Sequence, residues 1–259
     1  MFYIISYVLT VFGSSLSFFY FTNNLVNSLN KNSTPNQQNL FKTKIFYYLL
    51  PLSVPNNKKL PWITYIYSTI HALISFIAAY SYLYDYITTY EYLHLFALTV
   101  GYAIHDFIVV WRNREFFKSS WKGVLVHHSM MMYNGLLVLS YYNSLEIVLK
   151  HTSRFFLTEI STVFLNISWF LITLKKTRTS LFKINGIILI CLYFIVRILN
   201  LTYCCYLIYT SNEIVEFGYN TYRLINLGAI TLTSMNYIWF YNLFHSTYKK
   251  ITTADNKTK

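Results

Sequence analysis

"GVLVHHSMMMYNGLL", residues Gly123–Leu137, decides how this chain is read. The block runs on to Tyr142 without an Asp, Glu, Lys or Arg. About 20 mostly apolar residues in a helix cross the roughly 30 Å hydrocarbon core of a bilayer. The stretch therefore predicts a membrane-spanning helix, with two adjacent histidines, His127 and His128, at membrane depth.

Six further blocks of that kind flank it: Phe2–Phe21, Trp62–Tyr84, Tyr92–Trp111, Phe155–Leu174, Ile184–Tyr209 and Leu224–Tyr248. The expected fold is an all-α polytopic membrane protein with seven transmembrane helices. The first block has no basic residue before it and no small-residue cleavage site after it, so it reads as a helix rather than a cleaved signal. Composition agrees. Of 259 residues, 55% are apolar and 12% charged, about half the charge of a soluble domain.

The formal charge of +12 does not mark a nucleic-acid surface, because the lysines and arginines fall in short loops between apolar blocks. Loops one, three and five and the C-terminal tail are basic, for example Arg112, Arg114, Lys118 and Lys122. The loops between them are acidic or nearly neutral. That alternation places the basic loops and the C-terminus in the cytosol and the N-terminus on the lumenal or extracellular side. Asn32-Ser33-Thr34, a glycosylation acceptor by sequence, is then cytosolic and unmodified. Cys191, Cys204 and Cys205 lack metal spacing and read as packing residues.

The expected organisation is an N-terminal transmembrane helix (1–22), a cytosolic, polar and partly disordered loop (23–60), a domain of six transmembrane helices (61–250), and a cytosolic tail (251–259). Within the loop, "LFKTKIFYYLLPLSV" is too short to span and reads as an interfacial segment with its lysines toward lipid headgroups.

Ionisable groups inside a span cost roughly 2.5–3.5 kcal/mol at the bilayer centre, so they are the functional candidates. His105 and Asp106 lie five to six residues, roughly 8 Å, from the cytosolic end of their span. His127 and His128 lie at about the same depth on the next one. Asp106 is thus placed to accept a proton from an imidazole and fix its tautomer. Consecutive helix positions diverge by about 100°, so only one histidine can face a cavity squarely. His127, in line with Met131 and Asn134, is assigned to it; His128, in line with Gly135, is assigned to packing or to Asp106. The same divergence makes joint metal ligation awkward. Deeper in the membrane, Thr158, Glu159, Thr162 and Asn166 share a helical face by their spacing. Glu159 and Arg197 fall near one depth on consecutive antiparallel helices and should form an ion pair. The bland alternatives are interhelical hydrogen bonding for the histidines and a structural role for the ion pair. His71, His94 and His245 are isolated in the sequence and carry no assignment.

"GYAIHDFIVVW", "VHHSMMMYNGLL", "LTEISTVFLNISWFL" and "FIVRI", in that order, resemble the TLC-domain family, which includes ceramide synthases and translocating-chain-associating membrane proteins. The resemblance covers about Pro61 to Lys250, with Val163 and Ser168 departing from the proline and arginine expected there. It implies six helices enclosing a lipid-accessible cavity. In ceramide synthases the histidine pair is followed on the next span by a Leu-His-Asp-x-x-Asp-x-x-Leu-Glu string. Here the second-string histidine is Thr158, the aspartates are Glu159 and Thr162, and the glutamate is Asn166. A histidine nucleophile needs acidic partners to orient it, and most of those are lost. The resemblance thus implies an endomembrane protein, of the endoplasmic reticulum or a related organelle, that acts on membrane lipid composition or homeostasis without a cofactor. Two alternatives remain: a histidine-dependent acyltransferase using long-chain acyl-CoA, with His127 and His128 as catalytic candidates and Asp106 as orienting partner, and a cargo or nascent-chain helper.

Overall fold

A computed structural model describes residues 56–117, 121–140, 146–212 and 218–255, and the described residues are helical apart from short connections. The block Phe2–Phe21, the interfacial segment, Asn32 and the last tail residues lie outside them.

The helices are α1 (Asn56–Leu83), α2 (Thr89–Arg112), α3 (Trp121–Ser140), α4 (Glu146–Phe156), α5 (Glu159–Thr173), α6 (Ser180–Leu192), α7 (Asn200–Thr210) and α8 (Tyr219–Asp255). A π-helical stretch, Tyr193–Leu199, joins α6 to α7. Among the described residues, four helical rods are long and apolar enough to cross a membrane: Leu60–Leu83, Thr89–Arg112, Glu146–Thr173 and Ser180–Thr210. The chain is a membrane protein. His127, His128 and Asn134 dilute the apolar character of α3, and a series of Asn, Thr and Tyr residues does the same in α8. Polar residues that line a bundle interior lower the mean hydropathy of the helix carrying them.

Local chemistry sets the ends. Thr88 caps α2, accepting from the Glu91 amide at 3.3 Å, while Glu91 accepts from the Thr88 amide at 2.8 Å. This reciprocal box satisfies two otherwise orphaned donors. Asp85 and Lys175 stop α1 and α5 in the left-handed region, with φ of 57° and 56°. Just beyond them, the Tyr86 amide donates to the Ser81 carbonyl and that of Lys176 to the Leu171 carbonyl, both at 2.8 Å, closing the last turns.

The largest boundary difference from the sequence reading lies at the start of the fifth span. The fifth span begins at Glu146 rather than Phe155, because the stretch containing Glu146, Lys150 and Arg154 is helical instead of a connection. Its charges lie at one end of the rod, where Lys150 pairs with Glu146 at 3.0 Å. The rod breaks at Leu157–Thr158, where the Thr158 amide and hydroxyl both bond the Phe155 carbonyl. A threonine hydroxyl that captures a backbone carbonyl competes with the helical ladder in this way.

Packing returns on itself. α1 lies against α2, α2 against α3, α3 against α8, and α8 against the π stretch and α7; α7 lies against α4 and α6 against α5, and α4 and α5 pack back on α1. Two glycines permit close approach: a Cβ on Gly135 would meet Val100 of α2 at 2.5 Å, and one on Gly228 would collide with the amide of Asn134. Outward faces remain apolar, as with Ile187, Ile195, Leu227 and Ile238. In lipid such residues need no protein cover. Among the cysteines, Cys204 is buried and Cys205 partly so, whereas Cys191 is on the exterior.

Candidate functional site

α2 and α3 run side by side, and this brings their histidines and carboxylate together. His128 Nδ1 lies 3.2 Å from Asp106 Oδ2, both side chains buried. Tyr102, one turn before Asp106, is the other polar neighbour of that carboxylate. His127 points elsewhere, its ring 5.6 Å from Trp239 of α8 in an edge-on contact. His105 is buried against the edge of Tyr67 at 5.2 Å.

α1 adds a histidine whose isolation in the sequence gave it no assignment. His71 stacks on Tyr102 at 3.7 Å, and its Nε2 lies 3.0 Å from Ser75 Oγ. Ser75 in turn bonds Thr99 at 3.0 Å. Hydroxyls and imidazoles thus link α1 to α2 directly behind the Asp106–His128 contact. The sequence signal was the i, i+4 spacing of His71 and Ser75, which puts them on one face.

The second polar group is organised by Arg197. Its Nε donates to Ser161 Oγ at 2.6 Å, Nη1 to Asn236 Oδ1 at 2.9 Å and Nη2 to Thr162 Oγ1 at 2.7 Å. Glu159 Oε1 stands 3.9 Å from Nη2, and Thr162 Oγ1 donates to Glu159 Oε2 at 3.0 Å. The guanidinium also lies over the Tyr193 ring. Five planar donors suit such a set of neutral acceptors with one carboxylate beside it. Arg197 is held on the π-helical stretch, a widening often found at functional sites. Asn236, which joins α8 to this cluster, was not singled out in the sequence. Asn166 points the other way, donating to Thr69 Oγ1 at 2.9 Å and Ser68 Oγ at 3.2 Å on α1.

Two cavities lie between these helices. The larger, about 570 Å³, is bordered by His71, Asp106, His127, His128, Glu159 and Arg197, with Thr162 and Asn166 on its wall. The smaller, about 100 Å³, is walled largely by apolar side chains such as Phe96, Val148, Phe155 and Leu201, and includes Thr158. His127, Met131 and Glu159 border both. His128 borders the larger alone. No cluster of three or more His, Cys, Asp or Glu with metal-binding geometry occurs among the described residues.

This arrangement sits in a stretch with known relatives. The TLC domain model (TRAM_LAG1_CLN8) matches residues 61–245. The chain belongs to the TLC-domain family. TLC domain-containing protein 4 of Xenopus tropicalis is 27% identical over 165 residues, 60% of this chain and 59% of the relative. The human protein of the same name is 27% identical over 218 residues, covering 77% of this chain and 78% of its own length. TLC domain-containing protein 2 of Danio rerio is 24% identical over 157 residues, 60% of each chain. The match thus spans less than two thirds of the Xenopus tropicalis and Danio rerio proteins. No solved structure matches the chain.

Proposed function

We propose that this TLC-domain protein holds an amphipathic lipid within its helix bundle and acts in membrane lipid composition or homeostasis. In this reading six helices of the domain cross the membrane around the cavity, and the N-terminal block supplies a seventh. Charge alternation orients the N-terminus to the lumen and the C-terminus to the cytosol of an endomembrane such as the endoplasmic reticulum. The observation that carries the reading is a shared wall. His127, Met131 and Glu159 line both the chamber of about 570 Å³, whose largely apolar wall carries Asp106, His128 and Arg197, and the smaller apolar one. Ligand sites are concave and mostly apolar, with a few convergent polar groups. A polar headgroup fits beside Arg197, His127 and His128, and a hydrocarbon tail fits past Met131.

Untargeted lipidomics of a deletion strain, set against a strain carrying His127→Ala with His128→Ala, tests this. Lipid co-purifying with the wild-type protein, and lost from the double variant, is the expected result. Unchanged lipid profiles in both strains together with a lipid-free protein would refute it.

Acyl transfer is a second reading, favoured by the 3.2 Å Asp106–His128 contact. A base needs an orienting partner and reach to the proton it takes. In such a step His128 would accept the proton of an attacking hydroxyl or amine. The new acyl bond would form as the thioester C–S bond of acyl-CoA breaks, and the proton would pass to the departing thiolate. Release of free CoA thiol by the purified wild type, absent with His128→Ala, would select this reading.

A further inference from the structure

His151 faces the apolar chamber and belongs to neither polar cluster described above. It lies on α4, is 8% exposed, and neither ring nitrogen has a hydrogen-bond partner among the described residues. Around it the chamber wall is formed by Val148, Phe155, Leu201 and Ile208. Thr152, the nearest hydroxyl in sequence, is committed to the Val148 carbonyl at 2.7 Å. A buried polar group without a partner carries a desolvation cost that a bound polar group relieves. An imidazole so placed offers one donor and one acceptor to whatever fills the chamber.

Resting on the lipid-holding reading, we infer that the smaller chamber selects a hydrocarbon chain bearing a hydroxyl at or near its far end, with His151 as the residue that recognises it. A hydroxyl matches an imidazole because each can donate once and accept once. Geometry supplies the reach. His151 precedes Glu159 by eight residues, with the break at Leu157–Thr158 between them, so it stands roughly two helical turns, on the order of 10 Å, from the wall shared by the two cavities. A headgroup beside Arg197 and a chain passing Met131 would therefore bring its tail, not its head, to His151. Of the polar side chains on the chamber wall, Thr152 and Thr158 are committed to backbone carbonyls and Asn236 to Arg197, whereas the His151 imidazole is without a partner.

The experiment uses the full chain in lipid nanodiscs, with palmitic acid and its ω-hydroxy counterpart as competing probes. Wild type should retain the hydroxylated chain about fivefold more tightly, the worth of one neutral hydrogen bond. His151→Leu should abolish that preference while still retaining palmitic acid. The leucine replaces an unpartnered polar group in an apolar wall, so folding should survive. As a check independent of any variant, a hydroxylated chain with a diazirine beside its hydroxyl should label wild-type α4. Equal retention of the two chains by wild type, a preference that persists in His151→Leu, or labelling confined to other helices would overturn the inference and leave the lipid-holding reading standing. Retention of neither chain, with no co-purified lipid, would overturn both.

Discussion

His128 Nδ1 stands 3.2 Å from Asp106 Oδ2 and so ties the first half of α3 to the last half of α2. Both groups are buried, and their neighbours on α1 are already engaged, His71 with Ser75 and Tyr102. Removing Asp106 takes the carboxylate from the buried His128 imidazole, and removing His128 leaves Tyr102 as the carboxylate's remaining polar neighbour.

Asp106→Ala should therefore lower stability by about 1–3 kcal/mol, whereas Asp106→Asn, which keeps an acceptor oxygen, should cost less. Thermal unfolding of the detergent-solubilised protein measures both. If alanine and asparagine are equally mild, the contact contributes nothing to the α2–α3 hairpin.

Arg197 and Glu159 should respond unequally. Arg197 has three neutral acceptors at 2.6–2.9 Å besides Glu159 at 3.9 Å. Arg197→Leu removes the cation from all of them and leaves Glu159 as a buried charge, costing about 3–5 kcal/mol. Glu159→Gln leaves the guanidinium its neutral partners and should cost about 1 kcal/mol. The double variant Glu159→Leu with Arg197→Leu should regain part of the loss. Chromatographic monodispersity and unfolding across this cycle decide it, and equal, additive losses would show that the two residues act independently.

Much of this is legible in the sequence, and most of what is not depends on packing. Apolar run length locates a membrane helix, and a fixed rise per residue locates depth along it. Counting from the span ends is why Asp106 can be paired with His128, and Glu159 with Arg197, and the side chains of each pair do meet. Lateral placement is another matter. Nothing in the neighbours of Asn236 says that it faces Arg197, and nothing near His71 says that it stacks on Tyr102. Those contacts depend on which helices pack together, a long-range property. The helix Glu146–Phe156 escaped for a local reason: its glutamate, lysine and arginine imitate a connection, while its buried Val148, Leu149 and His151 form a face that only packing reveals.

Glycines supply a test of the packing itself. Gly135→Ala would drive a methyl into Val100, whose branched side chain has little freedom to turn away, whereas a Cβ on Gly186 meets nothing within 4 Å. Overpacking typically costs about 1–3 kcal/mol, so Gly135→Ala should destabilise by that amount. Adding Val100→Ala should relieve it. Gly186→Ala, in a helix interior, should be neutral or stabilise by up to about 1 kcal/mol. Matched thermal scans of the four proteins are sufficient, and a Gly135→Ala protein as stable as the wild type would refute the close α2–α3 approach.

The two adjacent histidines should separate in experiment as they do in space. His127 is only partly buried and borders both cavities, with Trp239 at its edge. His128 is buried and engaged with Asp106. Loss of His127 removes cavity lining and leaves the α2–α3 contact intact, so His127→Ala should change lipid retention while leaving unfolding temperature near the wild-type value. Loss of His128 leaves Asp106 without its imidazole, so His128→Ala should lower stability by about 1–3 kcal/mol. Accessibility gives a second readout. In otherwise cysteine-free protein, His127→Cys should react several-fold faster than His128→Cys with a slim, membrane-impermeant thiol reagent applied from the cytosolic side. Bound lipid should slow the first reaction more than the second. Equal rates, or faster reaction at 128, would remove the cavity role from His127 and leave the pair as a link between helices.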